Sequence, residues 1–179
     1  MPQNGPNNKG RGTMALIVSK SELKARLSPA GRVAAQMFDH LDESCCRFVA
    51  RAPFVCLATS DARGEKHLAP LGGRSGFVEI LDDRTLLLPE WPAPEVTQQL
   101  TDLLEDSNVG LLFLVPGEDV ALEVSGTACL SDDSRFLELF REDDGPPDVV
   151  ILVEVMAAAF VGAGALEKSG LWQQRPARR

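Results

Sequence analysis

The stretch FVCLATSDARGEKHLAP, residues 54–70, decides the fold. Phe54 to Thr59 has the aromatic and β-branched character of a strand, Asp61 to Gly64 is a turn, and Lys66 to Pro70 is a returning strand, so the segment predicts a β-hairpin. The pattern repeats downstream. Gly72 to Gly76 is a glycine-rich loop, Phe77 to Leu81 a strand, Asp82 to Arg84 a turn and Thr85 to Leu88 its partner. Val109 to Val115 and Val120 to Leu130 are strands joined by the Pro116 to Asp119 turn. After Gly145-Pro146-Pro147, Val149 to Val155 is apolar enough to be buried on both faces. Six or more strands, joined mainly by tight turns with helices between, predict a closed or half-closed antiparallel barrel of the α+β class.

Helical signals lie on either side. Ser28-Pro29 has the form of an N-cap followed by proline in the first turn, and Val33, Ala34, Met37, Phe38 and Leu41 recur at helical spacing. A second helix over about 42–51 is expected to present Cys46, Val49 and Ala50, with Pro53 ending it. Glu95 to Glu105 places Val96, Leu100, Leu103 and Leu104 on one face, and Ser131-Asp132-Asp133 caps a short helix reaching about Phe140. The expected organisation is a disordered leader over 1–13, rich in Asn, Gly and Pro, and a single domain over 14–179. Within that domain, 19–52 is helical and 53–172 forms the barrel.

Composition excludes several function classes. The chain has 179 residues, enough for one substantial core, with 44% hydrophobic and 25% charged residues. No apolar run approaches the roughly 20 residues of a membrane helix. A net charge of -8 argues against a nucleic-acid partner, which needs clustered Lys and Arg; the Arg175, Arg178, Arg179 tail reads as a solvated terminus. Cys45, Cys46, Cys56 and Cys129 form neither a disulfide framework nor a zinc pattern, so no metal is expected. The run Ala15 to Val18 is too brief for a signal-peptide core, and a reducing cytoplasm fits best.

The segments Phe54 to Thr59, Gly72 to Val78, Leu81 to Leu86, Val109 to Gly117 and Gly170-Leu171-Trp172, in this order, resemble the pyridoxamine phosphate oxidase-like family. The likeness spans roughly Pro53 to Trp172, and Phe113-Leu-Val-Pro-Gly117 is its most specific part. It implies a split β-barrel, a homodimer, and FMN held in clefts between subunits. The pattern of this branch also implies cations that this chain lacks. Leu71 stands where a cation follows the proline of the second strand, Trp91 and Val96 stand around the proline-rich break, and Glu123 replaces an arginine. The late Lys and Arg are replaced around Gly164 and Gly170, although Lys168 lies nearby. A flavin phosphate is close to a dianion, and each charge-assisted hydrogen bond to it contributes roughly 1.5 to 3 kcal/mol, so losing two weakens binding by about a hundredfold or more. The favoured expectation is therefore no cofactor, with FMN as the alternative.

His67, the one histidine of the barrel segment, is the candidate general acid or base, and Glu123 is the candidate proton acceptor or cation ligand. The plainer readings are an exposed strand histidine and an outward carboxylate; His40 reads as a helix-surface residue. Thr59, Leu71, Arg74, Glu90, Trp91 and Trp172 form the expected substrate-binding set. Trp91 offers a flat apolar face and Trp172 a lid across the dimer, against ordinary packing for both. Arg74 and Lys168 are the expected cofactor ligands should FMN be retained. Val161-Gly162-Ala163-Gly164 does not make a dinucleotide fingerprint, because Glu167 occupies the third glycine position and no second βαβ half can follow. Cys56 and Cys129, in strands, read as inert core thiols.

Three functional readings follow. The favoured one is a small-molecule enzyme on a flavin-type barrel, performing flavin-independent acid/base chemistry, an isomerisation or cyclisation, on an apolar substrate in the former flavin cleft. The others are an FMN-dependent oxidoreductase and a non-catalytic ligand-binding dimer.

Overall fold

Alternation of inward and outward side chains carries the architecture, and it is clearest in the computed structural model, which describes residues 16–26, 37–91, 97–142 and 145–172. By its internal contacts the chain divides into two units, Met1–Ala34 and Ala35–Arg179. The described part of the first holds one short helix, α1 (Lys20–Arg26), in which Ser19 Oγ accepts from the Glu22 amide and Glu22 pairs with Arg26 at 2.9 Å. The expected leader, the Ser28-Pro29 helix start, Val33, Ala34 and Val96 lie outside the described residues.

The second unit runs β1 (Met37–Phe38), α2 (Glu43–Val49), β2 (Phe54–Ser60), β3 (Lys66–Gly72), β4 (Glu79–Asp82), β5 (Thr85–Glu90), α3 (Thr97–Glu105), β6 (Asn108–Leu114), β7 (Val120–Ser131), α4 (Ser134–Leu137), β8 (Val149–Gly162) and α5 (Gly164–Ser169). All strand pairs are antiparallel, in the order β3-β2-β6-β7-β8-β5-β4. The fold is an antiparallel split β-barrel with flanking helices, of the α+β class. One face of every long strand fills a common core: Val55, Leu57, Leu71, Leu86, Leu88, Leu111, Phe113, Leu122, Val124, Ile151 and Val153 all belong to it. Among the described residues no helix is long and apolar enough to cross a membrane.

The ends of the barrel are covered by different helices. Asp42 caps α2 by accepting from the Cys45 amide at 2.8 Å, and Leu41, Cys45, Phe48 and Val49 drop into the core. The expected face of Cys46, Val49 and Ala50 is thus rotated: Val49 alone of the three is buried, and the aromatic Phe48 takes the central place. At the other end α3 links β5 to β6 and buries Leu103, whereas Leu104 is 76% exposed. Its buried arc is completed by Gln99 and Asp102. On the outer face, α4 and the 3₁₀ turn Glu138–Phe140 set Phe140 against Leu87 and Val150.

Two expectations fail for one reason. Met37 and Phe38, read as helical, form β1, and β8 continues seven residues past the expected Val155 to Gly162. β5 covers one edge of β8 only over Val149–Glu154, which leaves the edge beyond it open for Phe38 and Met37 to pair with Ala158 and Ala159. A vacant sheet edge outweighs local helical periodicity. Between the two halves β8 carries a bulge, with Met156 the extra residue opposite Ser125/Gly126 of β7. Gly126 is required there, because a Cβ would lie 2.0 Å from the Glu154 carbonyl oxygen. β3 and β4 end the hydrogen-bonded path. Pro70 lies in β3, and Pro89 lies in β5 beyond Leu87, where its pairing with β4 stops.

Candidate functional site

The densest polar arrangement inside the barrel lies at the α3-covered end. Thr59 and His67 are direct cross-strand partners on β2 and β3, and both point inward along with Leu57 and Ala69. α3 lowers Asp102 onto them. The Thr59 hydroxyl donates to Asp102 Oδ2 at 2.7 Å, His67 Nδ1 lies 2.8 Å from the same oxygen, and Gln98 Nε2 donates to Oδ1 at 2.9 Å. Asp102 is 0% exposed. Burial pushes its carboxyl up, but the hydrogen bonds from Thr59, Gln98 and His67 outweigh this and hold it below the usual carboxylate range.

An ionised carboxylate only accepts hydrogen bonds, so the shared proton sits on His67 Nδ1 and the lone pair of the neutral ring is at Nε2. The His67 side chain keeps 27% of its surface exposed. The arrangement can therefore orient an imidazole with one basic nitrogen turned away from its buried partner. Asp102 is the residue that sequence reasoning misses. Its signal is faint: a carboxylate beside Leu103, on a helix whose apolar arc is too narrow to include Leu104.

Glu123 lies elsewhere. It stands between the buried Leu122 and Val124, which puts it on the outer face of the sheet, opposite to the face carrying His67. There it lines a cavity of about 70 Å³ with Met37, Ser125, Ala157, Ala158 and Ala159.

The expected binding residues are dispersed. Leu71 is part of the core, 8% exposed. Arg74 makes no ion pair among the described residues; it shares a crevice of about 20 Å³ with Phe77, Glu79, Trp91 and Glu142. Glu90 is 6% exposed, its Oε1 has no partner among the described residues, and burial pushes its carboxyl up to about 7. Trp172 packs against Leu114, Ala121 and Ala163, with its buried Nε1 unpartnered among the described residues, and lines a cavity of about 390 Å³ with Glu118, Asp119 and Glu167. Lys168 is exposed in the last turn of α5.

These residues do not fit a flavin phosphate. Such a group needs convergent cations or backbone donors. Leu71 is committed to the core, Arg74 shares its narrow crevice with two glutamates, and Glu123 adds a carboxylate on the outer face of the sheet. A larger cavity, about 710 Å³, opens at the α2-covered end between Arg47, Arg51, Glu118, Val120 and Phe160.

Comparison with known proteins follows the sheet rather than the site. No curated protein sequence matches the chain. Among solved structures, a single-residue variant of HupZ from Group A Streptococcus is 16% identical with a TM-score of 0.55, covering 68% of this chain and 99% of its own. A putative pyridoxamine 5'-phosphate oxidase from Lactobacillus delbrueckii is 24% identical with a TM-score of 0.52, covering 68% and 94%. An FMN-binding protein from Syntrophomonas wolfei is 13% identical with a TM-score of 0.52, covering 64% and 81%. At these identities the likeness establishes the fold. The family model described as pyridoxamine 5'-phosphate oxidase matches residues 41–162, from just before α2 to the end of β8. The chain belongs to the pyridoxamine 5'-phosphate oxidase family.

Proposed function

We propose that this member of the family is a small-molecule enzyme whose chemistry is proton transfer, without flavin redox, acting in the cytoplasm as a homodimer. The observation that supports it is the 2.8 Å contact between His67 Nδ1 and the buried, ionised Asp102. His67 Nε2 takes a proton from an apolar substrate and returns it at another atom, so the reaction is a net isomerisation or cyclisation and consumes no co-reactant. Asp102 holds the ring and balances the charge when Nε2 is protonated, while Thr59 and Gln98 hold Asp102. Glu123, across the sheet from His67, serves a different surface and does not share a reacting atom with it within one subunit. An absorbance scan of the purified protein tests the reading: stoichiometric yellow flavin would overturn it.

Family membership favours a second reading, an FMN-dependent oxidoreductase in which Arg74, Lys168 or a partner-chain cation holds the phosphate. That protein would carry a flavin spectrum that bleaches on adding a reduced nicotinamide. Failure to bind added FMN at high micromolar concentration removes it.

A further inference from the structure

We propose that the cavity at the α2-covered end is a binding site for an organic anion with an apolar, aromatic-sized body. Its volume, about 710 Å³, is that of a small-molecule site. Its floor is apolar: Phe48 and Phe160 meet edge to face at 5.5 Å between centroids, and Val120 lies beside them. Its rim carries two arginines beside the Glu118 carboxylate. Arg47 and Arg51 stand four residues apart along the same side of α2 and just past its end, and Ser44 adds a hydroxyl one turn earlier.

Arg51 displays what such a ligand would meet. Its guanidinium lies 5.8 Å from the Phe48 ring centre and donates to Glu118 Oε1 at 2.8 Å, across the cavity wall. A carboxylate against an arginine, above an aromatic floor, is the arrangement an aromatic or acyl anion would reproduce, with the Glu118 carboxylate standing in for the ligand's own. The Arg47 pairing with Glu43 is a one-turn surface contact, with Glu43 85% exposed, and such pairs hold their partners weakly. Both arginines can therefore turn to an incoming anion. The site lies at the opposite end of the barrel from His67, since Val120 pairs with Gly162 at one end of the sheet and Thr59 with His67 at the other. It stands or falls independently of the acid/base reading.

The full-length protein is titrated with 8-anilinonaphthalene-1-sulfonate, followed by fluorescence, with the uncharged N-phenyl-1-naphthylamine as control. Saturable binding of the sulfonate is expected, tighter than that of the neutral probe. The Arg47→Gln, Arg51→Gln pair should weaken it by about tenfold or more. Glu118→Gln removes the competing carboxylate and should tighten it by about threefold. Because loosened packing also binds this sulfonate, thermal melting of each variant accompanies the titration, and Glu118→Gln should tighten the sulfonate while leaving the neutral probe and the melting temperature unchanged. No sulfonate binding, equal affinity for the neutral probe, or a weakening in Glu118→Gln would overturn the proposal.

Discussion

His67 Nδ1 and Asp102 Oδ2, from an edge strand and a helix 35 residues apart, meet at 2.8 Å over a carboxylate that has no contact with solvent. The pair ties α3 to the hairpin. Asp102→Asn loses the negative charge that three donors satisfy and should cost about 1–3 kcal/mol at neutral pH. The folded carboxyl lies below its ordinary value, so its stabilisation is present above about pH 4, the unfolded range, and is lost as pH falls through the folded value. Urea unfolding should show a larger difference between the proteins at pH 7 than at pH 3. Nitrogen NMR of the His67 ring should find the neutral tautomer protonated at Nδ1 in the native protein and redistributed in the variant. Predominant protonation at Nε2 in the native protein would remove the basic atom from the proposed chemistry.

Glu90 works with the opposite sign. Its carboxyl is raised to about 7 by burial, so between about pH 4.5 and 7 the unfolded chain is ionised there while the folded one is not. Stability therefore falls as pH rises across that window, and the loss is complete above it, at roughly 3 kcal/mol or less. Glu90→Gln should flatten the decline: little changed at pH 4.5, more stable than the native protein at pH 8. Parallel melting curves for the two proteins across this range would count against the burial assigned to Glu90.

Gly126 tests the bulge. A methyl group 2.0 Å from the Glu154 carbonyl oxygen cannot be accommodated without separating β7 from β8, which are paired on both sides of the bulge. Gly126→Ala should cost more than about 2 kcal/mol, read by chemical unfolding. Gly117→Ala provides a contrast, since among the described residues no atom lies within 4 Å of its added Cβ and strain at φ 87° is its penalty. A smaller loss for Gly126→Ala than for Gly117→Ala would refute the steric account.

The outer face of the sheet supports a prediction about assembly. Met37, Leu68 and Met156 are 73%, 69% and 62% exposed, and the side chains between them on this face, Ala58 and Ala157 among them, are small. In the proposed homodimer a second copy covers this surface. Leu68→Lys with Met156→Lys should then convert a dimer to a monomer by light scattering, with secondary structure unchanged. A monomeric native protein at tens of micromolar would defeat the proposal.

Most of the strand plan was legible because β2, β6, β7 and β8 are apolar runs bounded by turn residues, and the apolar frame of Phe113 to Gly117 carried the family likeness. What escaped depended on neighbours distant in sequence. Met37 and Phe38 have helical spacing and become a strand because β5 stops short along β8. Leu104 looked like core, yet the inward arc of α3 belongs to Gln99, Asp102 and Leu103. At the site, His67 was legible as a lone imidazole, while its partner lay 35 residues away in a helix whose polar positions read as surface. Leu71 and Glu123 were placed at one cleft by family pattern, but strand alternation sends Leu71 inward and Glu123 outward.

The prolines at the margins of the sheet bear on behaviour at high concentration. An exposed strand edge recruits other chains through its unpaired amides, and proline removes one such donor and cannot extend a regular ladder. Pro70 sits in β3, the strand that closes one margin, and Pro89 in the part of β5 that β4 leaves uncovered, while β4 at the opposite margin is four residues long and charged at Glu79 and Asp82. Both margins are thereby made poor templates. The barrel can remain split, with its seam open to evolutionary change, without becoming the seed of a fibre.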